Sequence, residues 1–103
     1  MSAVNFTIID RITVTSPNTA VTWTIVSAHN ITWTSNLTAA DSVLIEVSRD
    51  NGATWSAIAT VFATATPYSW TVTGPASTTC LIRVSWAANP SNNDVSNVDF
   101  KIQ

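Results

Sequence analysis

Val43-Leu44-Ile45-Glu46-Val47-Ser48-Arg49-Asp50-Asn51-Gly52-Ala53-Thr54-Trp55 is the stretch that decides the fold class of this chain. Val43, Ile45 and Val47 recur at every second position, with Leu44, Glu46 and Ser48 between them, which is the period of a pleated strand with one buried face. Asp50-Asn51-Gly52 then breaks the run. The Asp50 carboxylate suits the backbone N–H groups just ahead of it, and Asn51-Gly52 tolerate positive φ, so the break predicts a hairpin turn.

The same alternation extends in both directions. Val4, Phe6 and Ile8 form one row, Ile12 and Val14 another, and Ser16-Pro17-Asn18 interrupts. Val21, Trp23 and Ile25 share a face. His29-Asn30 reads as a polar turn before Ile31 and Trp33. Tyr68, Trp70 and Val72 alternate, as do Ile82, Val84 and Trp86, and finally Val98, Phe100 and Ile102. The stretch 57–66 alternates poorly and predicts a short edge strand followed by a connection, while Asn89-Pro90-Ser91-Asn92-Asn93-Asp94 reads as a loop. One-faced rows of this kind predict an all-β sandwich of two antiparallel sheets. Its expected core is Trp33, Ile45, Trp70, Ile82, Val84 and Phe100, joined by Trp55. Trp23 and Trp86 fall nearer the ends, with Trp86 partly exposed at a strand exit.

Composition agrees with that class and excludes several functions. The 103 residues suit one domain, and 46% are hydrophobic while only 10% are charged. There is one Glu and one Lys, too few for a typical helical surface. Four basic against six acidic groups give a net charge of −2, so no cationic face is available for nucleic acid or for anionic membranes. No apolar run approaches the ~20 residues that span a bilayer. Met1-Ser2 leads straight into a strand-like segment without the features of an export signal, whereas the Thr/Ser/Asn-rich surface points to a secreted or cell-surface module. Cys80 is the one cysteine and sits in register with Ile82 and Val84, so it reads as a small buried hydrophobe.

Ser48-Arg49-Asp50-Asn51-Gly52-Ala53-Thr54-Trp55 also fits the pattern Ser-x-Asp-x-Gly-x-Thr-Trp and resembles the Asp-box hairpin of sialidases and other β-rich proteins. The resemblance implies a structural turn formed by Asp50, Asn51, Gly52, Thr54 and Trp55, away from any catalytic centre. A second feature is an echo: Val4-Asn5-Phe6-Thr7-Ile8 returns as Val98-Asp99-Phe100-Lys101-Ile102. Two readings follow. Residues 1–11 are the last strand and linker of an upstream repeat, with residues 12–103 one full sandwich, or Val4–Ile8 is this domain's own first strand. Under the first reading, a strand carrying the apolar face of a missing sheet would cover an edge of its own domain or dock onto a neighbouring copy, giving self-association through the N-terminal strand.

Ile12-Thr13-Val14-Thr15-Ser16-Pro17, Val21-Thr22-Trp23-Thr24, Asn30-Ile31-Thr32-Trp33-Thr34-Ser35, the hairpin, Tyr68-Ser69-Trp70-Thr71-Val72, Cys80-Leu81-Ile82-Arg83-Val84-Ser85 and the closing Asn89-Pro90-Ser91 through Ser96 and Phe100-Lys101-Ile102 form a series. In that order they resemble the immunoglobulin-like repeat of large secreted or surface proteins of bacteria and archaea, related to a module of fungal serine/threonine-rich cell-wall proteins. The resemblance implies a sandwich of about seven strands with Greek-key connections. It further implies a non-catalytic spacer, stalk or adhesion element whose partners are neighbouring domains of the parent chain. Thr19-Ala20 stands where members of that family often carry Gly-Gly.

Residues with chemistry are few. His29 is the one histidine, so a three-ligand zinc site lacks material, and a nucleophilic arrangement would need Ser or Cys80 to meet His29 and a carboxylate. No cofactor is expected. Asn92, Asn93, Asp94 and Asp99 carry oxygens suited to calcium but lack a recognised ligand spacing. Asn5-Phe6-Thr7, Asn30-Ile31-Thr32 and Asn36-Leu37-Thr38 match the glycosylation pattern, which a Thr-rich chain also produces by chance. The main alternative to a spacer is a carbohydrate-binding module that exposes Trp23 and Trp86 as a glycan platform. A third is adhesion to a surface protein through loops or an edge strand.

Overall fold

The computed structural model describes residues 12–37 and 40–103. These residues form nine strands and no helix. They are β1 (Ile12–Ser16), β2 (Thr22–Trp23), β3 (Ala28–Ser35), β4 (Ser42–Ser48) and β5 (Ser56–Phe62). β6 (Tyr68–Thr71), β7 (Ser77–Trp86), β8 (Asn89–Val95) and β9 (Phe100–Ile102) complete the set. One sheet has the order β1-β3-β6; the other runs β2-β9-β7-β4-β5, with β8 also paired to β7. The all-β sandwich follows from the alternating rows, but the strand count is nine rather than about seven. The second sheet is also not wholly antiparallel, because β2 runs parallel to β9.

β7 is the longest strand, with ten residues, and it organises the larger sheet. One edge pairs with β4 from Leu81 to Trp86. The other edge is divided, with Ser77 and Cys80 pairing with β9, and Arg83 to Trp86 with β8. The inward side chains of both layers meet around Trp33, Ile45, Ile82, Val84 and Phe100, each at most 2% exposed. Trp70 is buried beside them. Trp33 carries a polar tip into the centre, and its indole N–H donates to the Ala63 carbonyl at 2.9 Å, which satisfies a donor that would otherwise be costly to bury.

Three local readings change. His29-Asn30 lies inside β3, not in a turn; the turn falls earlier, where Ser27 N–H donates to Thr24 O at 3.0 Å. That turn forces Val26 to φ 67°, a left-handed conformation that a β-branched residue disfavours. Propensity therefore gives no warning of it. Asn89–Val95 forms β8 rather than a loop, and Pro90 is tolerated because β8 pairs on one side only among the described residues. Val98 is 44% exposed and precedes β9, so only Phe100 and Ile102 of its row point inward. Val4–Ile8, and with it the choice between the two readings of residues 1–11, lies outside the described residues.

Two stability predictions follow. Phe100→Ala empties a fully buried site and should cost about 3–5 kcal/mol in urea unfolding, whereas Val98→Ser should stay within about 0.5 kcal/mol. Val26→Gly should raise stability by about 1 kcal/mol, because relief of left-handed strain exceeds the added unfolded-state entropy of glycine. A thermal melt showing no increase for Val26→Gly would remove the strain assignment.

Candidate functional site

The β4–β5 hairpin is built from the side chains that the Asp-box pattern singles out. Ser48 is 1% exposed, and its hydroxyl donates to Asp50 Oδ1 at 2.8 Å while accepting from the Gly52 N–H at 2.8 Å. Asp50 in turn accepts from the Thr54 N–H at 2.8 Å and from the Thr54 hydroxyl at 2.5 Å. Asn51 and Gly52 take φ of 58° and 93°, which the tight reversal requires. With its NH2 turned toward Asp99, the Asn51 amide donates to both carboxylate oxygens at 3.0 and 3.1 Å. The turn is thus fastened to the segment leading into β9.

Arg49 extends the staple to the other layer, a role its sequence context did not reveal. Its guanidinium donates to the Thr73 carbonyl at 2.8 Å, to the Thr73 hydroxyl at 2.9 Å and to the Pro75 carbonyl at 3.1 Å. Its own carbonyl accepts from the Ser77 and Thr79 hydroxyls at 2.6 and 3.0 Å. A single residue therefore joins the hairpin to the whole β6–β7 connection.

The outer face of the larger sheet carries the most organised surface chemistry. Glu46 and Arg83 are register partners on β4 and β7, and the guanidinium donates twice to Glu46 Oε1, at 2.8 and 3.0 Å. The Arg83 carbon lies 4.2 Å from the Trp55 ring centroid, a cation–π contact. Trp55 is therefore half-buried beneath an arginine at the surface and does not belong to the central core. Beside this stack runs a groove of about 350 Å³ lined by Leu44, Thr60, Ser85, Trp86 and Pro90. Trp86 is half-buried, and its Nε1 makes no hydrogen bond among the described residues.

Trp23 does not form a platform. It is 6% exposed, stacked on His29 with ring centroids 4.6 Å apart, and packed against Phe100 at 5.0 Å and Trp70 at 6.2 Å. Trp23 and Trp86 are thus not a coplanar exposed pair, because β2 lays Trp23 into the interior between the layers.

His29 Nε2 lies 3.0 Å from Ser27 Oγ, a Ser–His pair of the kind that nucleophile activation uses. The Ser27 hydroxyl is turned to the Thr24 carbonyl, and the His29 ring stacks on Trp23. Cys80 is fully buried, and burial pushes its thiol up from the usual range. Among the described residues no three His, Cys, Asp or Glu side chains gather to hold a metal. Asp94 accepts from the Val14 N–H at 2.8 Å, Asn93 donates to the Pro90 carbonyl at 3.0 Å, and Asp99 faces Asn51. The carboxylates of the Asn-rich region are thus spent on separate structural contacts.

No protein-family model, curated protein or solved structure matches this chain.

The hairpin makes a pH prediction. Hydrogen bonds from the Thr54 hydroxyl, then the Thr54 N–H, then Ser48 hold the Asp50 carboxyl at about 2, against an ordinary 3.8. A carboxyl depressed on folding contributes stability above its unfolded value and loses it as pH falls through the folded one. The Tm advantage of the native protein over Asp50→Asn should therefore be full near neutral pH and shrink from about pH 4 down to about pH 2. A constant difference across that range, read by circular dichroism melts, would contradict the assignment.

Proposed function

We propose that this chain is a non-catalytic spacer module of the immunoglobulin-like kind, carried in a multidomain secreted or cell-surface protein. One observation supports the reading above others: the outer ends of the first and last described strands lie at opposite poles. Ile12 pairs with Ser35 at the end of β3, whereas Gln103 accepts from the Ile25 N–H just before β3 begins. The eight residues of β3 separate these poles, roughly 25 Å at the usual rise per strand residue. Modules joined through such poles extend in a line, so each copy adds reach. The strand order supports the same kinship. β1 and β2 divide between the two sheets, and β9-β7-β4 faces β3 and β6 across the core, much as in immunoglobulin-type sandwiches. The carbohydrate-module alternative loses its main support with Trp23 in the interior.

A head-to-tail fusion of two copies, joined through residues 1–11, tests the spacer reading. Small-angle scattering in dilute solution should give a maximum dimension close to twice that of the single module. A value near that of one module would overturn it.

A further inference from the structure

Asn51-Gly52 is the one Asn-Gly pair in the chain, and it carries a chemistry that its role as a turn does not use. Glycine lacks a Cβ, so the Gly52 backbone nitrogen is the least hindered nucleophile that a following residue can offer an asparagine side chain. When a base in solution removes its proton, that nitrogen adds to Asn51 Cγ. The new C–N bond closes a succinimide ring, and the side-chain nitrogen leaves as ammonia. Water then opens the ring at either carbonyl, giving aspartate or isoaspartate.

The closed hairpin engages both reacting groups elsewhere. The Gly52 N–H donates to Ser48 Oγ at 2.8 Å, on a side chain that is 1% exposed. The Asn51 amide donates to both Asp99 oxygens at 3.0 and 3.1 Å, and the Asn51 N–H donates to the Thr79 carbonyl at 3.0 Å. With Asn51 held at φ 58° by these bonds, ring closure requires the turn to release. Asn51 is itself exposed, so water and base reach it whenever that happens.

We propose that Asn51 is a deamidation site gated by the hairpin, protected while the turn is closed and converted when it opens. The structure makes the conversion self-sealing. A carboxylate at position 51 would face the Asp99 carboxylate across the separation now spanned by the amide's hydrogen bonds, and like charges so placed repel. Isoaspartate would add a carbon to the backbone of a tight turn whose geometry depends on positive φ at Asn51 and Gly52. Either product breaks the tie between the hairpin and the residue just before β9. Past openings of this pole are thereby recorded as a permanent loosening.

The test uses the full-length chain and stands apart from the spacer reading. Incubation at mildly alkaline pH, followed by peptide mapping with mass spectrometry, reads conversion at Asn51. The folded chain should convert at least about tenfold more slowly than the same chain in urea, because reaction waits on local opening. Ser48→Ala removes the acceptor of the Gly52 N–H and should quicken conversion about tenfold, with the fold checked by circular dichroism. Asn51→Asp reproduces one product. At neutral pH it should melt several degrees below the native protein, and Asp99→Asn in the same chain should recover most of that loss. Equal conversion rates in the folded and unfolded native chain would overturn the proposal. So would a folded Ser48→Ala chain that converts at the native rate, or an Asn51→Asp loss that Asp99→Asn leaves unchanged.

Discussion

Ten residues of β7 set the geometry to which everything else conforms. One edge of that strand holds β4, and the other is shared between β8 and β9. Three strands are thereby placed in register by one backbone. Its inward residues Cys80, Ile82 and Val84 are fully buried, and they form the floor against which Trp33 and Trp70 pack from the opposite layer. Register here has no freedom, because a slip of one residue would expose that floor and bury Arg83 without its partner Glu46. The outer-face stack of Trp55, Arg83 and Glu46 is the same constraint seen from the solvent side.

The hairpin between β4 and β5 acts on this frame as a clamp. Ser48, Asp50 and Thr54 satisfy the turn from within, while Arg49 and Asn51 reach out to the β6–β7 connection and to Asp99. Short polar contacts at one pole substitute for the disulfide that a lone cysteine cannot form. Among the described residues, Asp50, Asp94 and Glu46 each accept from a neighbouring strand or turn.

Legibility followed from how local the signal was. Rows such as Val43-Ile45-Val47 and the Asp50–Thr54 turn could be read directly, since period and turn chemistry operate within a few residues. The position of Trp23 could not, because a two-residue strand has no period and its burial depends on β9, nearly eighty residues later. β8 was obscured by composition: Asn, Pro and Asp signal a loop, yet its pairing with β7 overrides that signal. Val26 was invisible for the opposite reason, since nothing in a β-branched residue announces positive φ. Trp55 reads as core beside Trp33 and Trp70, whereas the arginine that covers it lies 28 residues away in sequence.

The parallel pairing of β2 with β9 bears on how the module would respond to tension. The Lys101 and Gln103 N–H groups donate to Val21 and Trp23 carbonyls at 2.9 and 3.0 Å, and Ile25 returns a bond to Gln103 at 2.8 Å. A pull delivered at the two poles drives β2 and β9 in opposite directions along their common axis. These bonds are then loaded together in shear instead of being peeled apart singly. Rupture would require all of them to fail at once, so a short strand pair becomes a mechanical latch that resists extension far better than its length suggests.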